Sequence, residues 1–287
     1  MKQLVVISGK GGTGKTTLAA SLCALAEKPV IIDCDVDAAD MHLLLHPQIR
    51  RTENFSGGKY ATLDNVKCVA CGQCRQVCRF DAITPDFKID IYSCEGCGLC
   101  ARVCPAKAIA MADRSSGRWF VSDTKYGPLV HAELGIGEEN SGKLVSRIKQ
   151  AAHELAQAAG ARWLIADGPP GTGCPVMASL SGADLAVIVT EPTLSAMHDM
   201  KRAVETAAHF HIPSAVIVNK WDLNEDNTVE IERFCAESKI AVLGRISFNQ
   251  AVSAAIAAGV PLVEYGDAGL ADQLKVIWAN ILEKFSA

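Results

Sequence analysis

Short apolar runs rich in Val and Ile recur along the chain at residues 4–8, 30–33, 163–167, 185–190, 215–219 and 240–246, with polar or Gly-rich breaks after most of them. Continuous runs of this length, without alternation, predict strands buried on both faces, as in a parallel sheet. Between most of them the spacing changes to that of helices. Residues 15–27 are rich in Ala and Leu, and 195–210 repeat apolar residues at helical intervals. Strands alternating with helices predict an α/β fold, a doubly wound and mostly parallel sheet. The last segment, 270–285, places Leu270, Leu274, Ile277, Trp278, Ile281, Leu282 and Phe285 on one helical face. Lys275 and Lys284 are balanced there by Asp272 and Glu283, so the face is expected to pack on the sheet rather than lie on a membrane.

The pattern breaks between about 56 and 113, where Gly-Gly and Cys-rich stretches replace the apolar runs and leave room only for short helices. Residues 1–55 and 114–287 are therefore expected to form one domain, with 56–113 as a small insert. Within 118–133, Trp119-Phe120-Val121 and Leu129-Val130-His131 flank Tyr126-Gly127-Pro128, which reads as a hairpin returning the chain to the main sheet.

Residues 9–16, Gly-Lys-Gly-Gly-Thr-Gly-Lys-Thr, fit the phosphate-loop pattern G-x-x-x-x-G-K-[ST], after a predicted strand and before a predicted helix. Gly9, Gly11, Gly12, Thr13, Gly14 and Thr17 belong to this loop and helix start, where backbone N–H groups converge on phosphate. Lys15 is suited to the β and γ phosphates of ATP, and Thr16 to Mg2+. Asp33, Asp35 and Asp167 stand at predicted strand ends, which face the ligand crevice in open α/β sheets. Asp167 is expected to hold Mg2+ through water, and Asp35 to orient or deprotonate the attacking water.

Eight of the twelve cysteines fall between Cys68 and Cys104. Cys68-x2-Cys71-x2-Cys74-x3-Cys78 is followed by Cys94-x2-Cys97-x2-Cys100-x3-Cys104-Pro105, each with the spacing of the bacterial two-cluster ferredoxins. Three thiolates on one loop cap one [4Fe–4S] cube while the fourth, after a helical turn, points to the other. The expected sets are Cys68, Cys71, Cys74 and Cys104, and Cys94, Cys97, Cys100 and Cys78. Arg79 replaces the proline common after the fourth cysteine. Zinc, the alternative for Cys-x2-Cys pairs, matches two such runs poorly. Glycines at 72, 96 and 98 are expected to let backbone amides approach cluster sulfurs. Of the scattered cysteines, Cys23, Cys34 and Cys235 read as core, and His209 and His211 as surface or capping residues near a helix end.

The loop Lys-Gly-Gly-Thr-Gly-Lys-Thr-Thr, the stretches Asp33-Cys34-Asp35 and Asp167-Gly168-Pro169-Pro170-Gly171, and Val218-Asn219-Lys220-Trp221-Asp222 together resemble the deviant Walker A ATPases. That group includes the MinD, ParA and Mrp proteins and the nitrogenase iron protein, and the resemblance covers nearly all the chain outside the insert. It implies a homodimer that sandwiches two ATP molecules, with Lys10 crossing to the partner's phosphates. It also implies Asp35 as the catalytic Asp and Asn219 as the adenine-contacting Asn. Ferredoxin-like inserts here are similar to those of MinD-like ATPases of anaerobic bacteria and archaea, a likeness that extends to Glu191-Pro192-Thr193 and to residues 138–145. Cys174 lies at an offset similar to that of a cluster ligand at the nitrogenase iron protein's dimer interface. It reads either as a shared metal ligand or as a buried or interface thiol.

A net charge of −4 with both signs scattered gives no basic stripe, so nucleic acid is not an expected partner. No apolar stretch approaches about 20 residues and no signal peptide is evident, so a cytoplasmic protein without stable membrane anchoring is expected. The combined expectation is an ATP-hydrolysing dimer whose nucleotide state is coupled to electron transfer or metallocluster maturation on an unidentified redox or metalloprotein partner. Two alternatives stand beside it: an ATP-gated iron–sulfur cluster or metal carrier, and a MinD-like or ParA-like positioning ATPase with a redox-sensing insert.

Overall fold

The computed structural model describes residues 1–135, 138 and 141–286. The strands are β1 (Lys2–Ser8), β2 (Pro29–Asp33), β3 (Gln48–Leu63), β4 (Ile109–Asp123), β5 (Pro128–Leu134), β6 (Trp163–Pro170), β7 (Leu185–Thr190), β8 (Ser214–Asn219) and β9 (Ala241–Ile246). The helices are α1 (Lys15–Leu25), α2 (Met41–Leu45), α3 (Gln73–Val77), α4 (Leu99–Val103), α5 (Ser141–Ala159), α6 (Cys174–Leu180), α7 (Leu194–His209), α8 (Glu225–Glu237), α9 (Ala251–Ala258) and α10 (Ala268–Lys284). The strands form one nine-stranded sheet in the order β3-β4-β5-β2-β6-β1-β7-β8-β9. From β5 to β9 every neighbouring pair is parallel.

Contacts divide the chain into two compact units. One comprises Met1–Glu53, Trp119–Leu134 and Ser141–Ala287; the other comprises Asn54–Arg118 with Gly135–Asn140. The expected insert, 56–113, lies within the second. β3 and β4 each run from one unit into the other.

In the first unit each of the six apolar runs forms a strand, and β2 and β7 are buried along their whole length. Leu4 and Val6 of β1 join Leu18 and Leu22 of α1 and Leu270, Leu274, Ile277 and Ile281 of α10 in one cluster. Val5 and Ile7 point to the opposite face, since side chains alternate along a strand, and α5, α6 and α7 pack on β5, β6 and β7 respectively. The α10 face lies inward as its spacing predicts, with Trp278 and Phe285 against the Trp163 ring at 4.9 and 5.1 Å. Leu282 is the exception and is exposed. β4 and β5 are sheet neighbours joined by four residues, the hairpin expected from Tyr126-Gly127-Pro128. No helix among the described residues is long and apolar enough to cross a membrane.

β3 has no counterpart among the apolar runs. It is an edge strand whose side chains at Gln48, Ile49, Arg50, Arg51 and Thr52 are exposed, so burial imposes no apolar pattern on it.

The second unit is built from the rest of β3 and β4, with α3 and α4 packed together. Ile83 and Ile89 form an antiparallel bridge, and Ala61, Ile83, Cys100 and Ile109 make a small core.

Candidate functional site

The phosphate loop leaves the carboxyl end of β1, between β6 and β7, and ends where α1 begins at Lys15. Gly14 has φ 87°, a left-handed conformation that a side chain strains, and a Cβ there would stand 2.4 Å from Asn219 Nδ2. That nitrogen donates to the Thr13 carbonyl at 2.7 Å, and Asn219 Oδ1 accepts from Lys220 N at 3.0 Å. Asn219 thus ties the end of β8 to the loop. Thr17 is buried in the first turn of α1.

Sheet register sets the acidic side chains beneath this loop. Asp33 pairs with Asp167, one strand over from Val6. Lys15 Nζ donates to Asp167 Oδ1 at 2.7 Å, lies 3.8 Å from Asp35 Oδ2 and 3.4 Å from Thr16 Oγ1. One buried cation therefore pairs with two carboxylates, and the charge of a third, Asp33, also acts on it. Burial alone would lower the Lys15 pKa, but the Asp167 charge reverses this and holds it above the ordinary value. Burial pushes Asp167 up against the pull of Lys15, and it pushes Asp33 well up, with the charge of Asp167 adding to the effect. Asp35 is raised to about 6 by burial, with Lys15 opposing.

Asp33 and Asp35 do different work. Asp33 accepts from the backbone N–H of Asp35 and of Met41, both at 3.1 Å, and so shapes the loop that carries Asp35. Asp35 is less buried and turns toward Lys15. Asp167 Oδ2 and Thr13 Oγ1 are buried side-chain oxygens with no hydrogen-bond partner among the described residues.

Lys10 is held within its own chain, 2.7 Å from Glu191 Oε1 and 3.3 Å from the hydroxyls of Thr193 and Ser195. Cys174, the first residue of α6, is exposed. Residues 138–145 divide: Glu138 accepts from Arg114 Nε at 2.8 Å, Ser141 opens α5, and Glu139 and Asn140 lie outside the described residues.

In the second unit the eight clustered cysteines surround two cavities. One, of about 370 Å³ including its opening, is lined by Cys78, Cys94, Cys97 and Cys100; the other, of about 310 Å³, by Cys68, Cys71, Cys74 and Cys104. Each cavity takes three cysteines from one run and the last from the other run. Gly72 and Gly98 start α3 and α4 with φ of 79° and 72°, turning the chain so that each third cysteine enters a helix. Backbone N–H groups of Ala61, Ala70 and Ala108 donate to the sulfurs of Cys94, Cys68 and Cys104 at 3.5, 3.4 and 3.2 Å. Burial raises the thiol pKa of Cys74 and of Cys100. Among the described residues no three His, Cys, Asp or Glu side chains converge closely enough to hold a single metal ion. The cysteines ring spaces instead of meeting at points.

The family model described as the CobQ/CobB/MinD/ParA nucleotide binding domain matches residues 4–262. The chain belongs to this family. An uncharacterized protein of Methanocaldococcus jannaschii is 37% identical over 228 residues, 78% of this chain and 80% of its own. The iron-sulfur cluster carrier protein of the same organism is 24% identical, over 98% of this chain and 84% of its own. Among solved structures, the septum site-determining protein MinD from Pyrococcus horikoshii, complexed with Mg-ADP, aligns with a TM-score of 0.61. That alignment spans 100% of this chain and 97% of the other at 16% identity, and it shows the shared fold.

In this member of the MinD/ParA family, sequence reasoning assigned no role to Glu191, Lys220 or Ser195. Lys220 Nζ donates to Glu191 Oε2 at 2.9 Å and to the Gly12 carbonyl at 3.1 Å, linking the ends of β7 and β8 to the loop. The available signal was their position, since Glu191 directly follows the apolar run 185–190 and Lys220 directly follows 215–219.

Proposed function

We propose that the protein is an ATP-hydrolysing homodimer that carries two [4Fe–4S] clusters, with nucleotide state coupled to electron transfer or metallocluster maturation on a partner protein. The observation that carries this reading is the pair of four-cysteine cavities, each drawing ligands from both runs, in a chain that also has a phosphate loop. The cysteine sets suit cubes, because four thiols surround a space and backbone amides already donate to three of the sulfurs. When bound, the clusters supply one-electron transfer.

On the nucleotide side, the unpartnered oxygens of Asp167 and Thr13 suit Mg2+ with its waters and a phosphate oxygen. In this reading Lys15 and Thr16 bind the phosphates and metal, and the residues from Gly9 to Thr17 form the cradle. Asp35 accepts the proton of the attacking water, and Lys10 reaches the partner's nucleotide. Asn219 supports the loop and lies where the family resemblance puts the adenine contact.

A second reading, an ATP-gated cluster carrier, is favoured by the name of the 24%-identical Methanocaldococcus relative and by the exposure of Cys71 and Cys97. Anaerobic reconstitution followed by iron and sulfide analysis, EPR of the dithionite-reduced protein and ATPase assay tests the proposal. Two clusters that stay bound and cycle redox state through ATP turnover support it. Quantitative transfer to an apo-acceptor supports the carrier, and zinc in place of iron overturns both.

A further inference from the structure

Lys10 is committed along both its backbone and its side chain. Ser8 Oγ donates to the Lys10 carbonyl at 2.8 Å. Gly9 packs so closely on α7 that a Cβ would stand 2.4 Å from the Asp199 carbonyl carbon, so the loop rests directly on that helix. The ammonium then meets Glu191, Thr193 and Ser195 at the amino end of α7. Glu191 is shielded, with 14% of its side chain exposed, and Lys220 occupies its other oxygen.

We propose that Glu191 is a latch that holds Lys10 in its own subunit, so that dimer closure must break the Lys10–Glu191 pair and Glu191 sets the nucleotide concentration at which the dimer forms. The inference rests on the reading above that Lys10 acts across the dimer interface. A shielded carboxylate stripped of its only cation is costly. Here Lys220 remains on Oε2 when Lys10 departs, so release does not leave Glu191 unpaired. Thr193 likewise keeps its bond from the Ala196 N–H, 3.2 Å away, which caps α7. The contacts that end are those of the moving ammonium itself. Burial would raise the Glu191 pKa, but the hydrogen bonds from Lys10 and Lys220 hold it below the usual value, as expected of a doubly paired carboxylate.

Glu191→Gln keeps the shape and removes the charge. Two measurements test it. In the nucleotide-free chain, the rate at which reductive methylation labels Lys10, read by mass spectrometry, is expected to rise about tenfold, the size of one charge-assisted contact. In titrations with a non-hydrolysable ATP analogue, the concentration giving half-maximal dimer in sedimentation velocity is expected to fall by about the same factor. Ser195→Ala, which leaves Glu191 intact, should shift both readouts the same way by less. Unchanged Lys10 labelling overturns the latch whether or not the protein dimerises. Faster labelling with a wild-type chain that never dimerises retains the latch and overturns the dimer reading. A dimer that forms less readily in Glu191→Gln overturns the latch, since Glu191 would then be receiving the partner's lysine.

Discussion

Replacing Lys15 with Met keeps the side chain's apolar stem and deletes the buried cation that pairs with Asp167 and Asp35 and whose charge also acts on Asp33. Its ammonium lies 2.7 Å from Asp167 Oδ1, with the two side chains 7% and 1% exposed. Breaking one partner out of a buried pair costs about 3–5 kcal/mol, and that figure applies while the carboxylates stay ionised. Burial already raises all three of them, and without Lys15 their folded-state pKa values rise further. A folded-state pKa above the unfolded one means that the native state binds the extra proton, so stability is recovered as pH falls and lost as it rises through that window. Each carboxylate that takes a proton relieves up to about 1.4 kcal/mol per pH unit. Lys15→Met should therefore cost about 3–5 kcal/mol at about pH 8 and at least about 2 kcal/mol less at about pH 6. Urea unfolding followed by tryptophan fluorescence reads this cleanly, because Trp119, Trp163, Trp221 and Trp278 all lie in the first unit, with Lys15. A loss below about 1 kcal/mol, or the same loss at both pH values, would refute the claim that Lys15 neutralises a buried acidic cluster.

Three further outcomes follow from the same geometry. Asp35 must be ionised to accept a proton, so kcat/KM for ATP hydrolysis should fall on the acid side with a midpoint near its raised pKa of about 6. Asp35→Asn should remove that limb and lower kcat by about 10²–10⁴ while a fluorescent ATP analogue still binds; a limb that survives the substitution assigns it elsewhere. Gly14→Ala meets both the positive φ and the Asn219 amide 2.4 Å away, and should cost about 2–3 kcal/mol in the same unfolding assay and abolish nucleotide binding. Cys78→Ser and Cys104→Ser should each remove about half the iron and sulfide, with Cys78→Ser altering the EPR signal that Cys94→Ser also alters; pairing with the Cys68→Ser signal would reverse the crossed arrangement.

The parallel strands, the phosphate loop and both cysteine runs were legible because each is a local pattern: an apolar run, a fixed loop spacing, a repeated Cys-x2-Cys-x2-Cys-x3-Cys. The polar edge strand β3 was not, since its exposed side chains carry no burial period. The sequence placed Asp33 and Asp35 together at one strand end, with a catalytic role expected of Asp35 and none assigned to Asp33. Tertiary structure separated them by bonding Asp33 to the Asp35 and Met41 amides and turning Asp35 toward Lys15. It likewise brought Glu191 and Lys220, which trail different strands, onto Lys10 and Gly12 through the parallel order β1-β7-β8. Chemical identity and short-range spacing are written in adjacent residues. Which distant charges share one cation depends on strand order and register, and those arise only when the whole sheet closes its core.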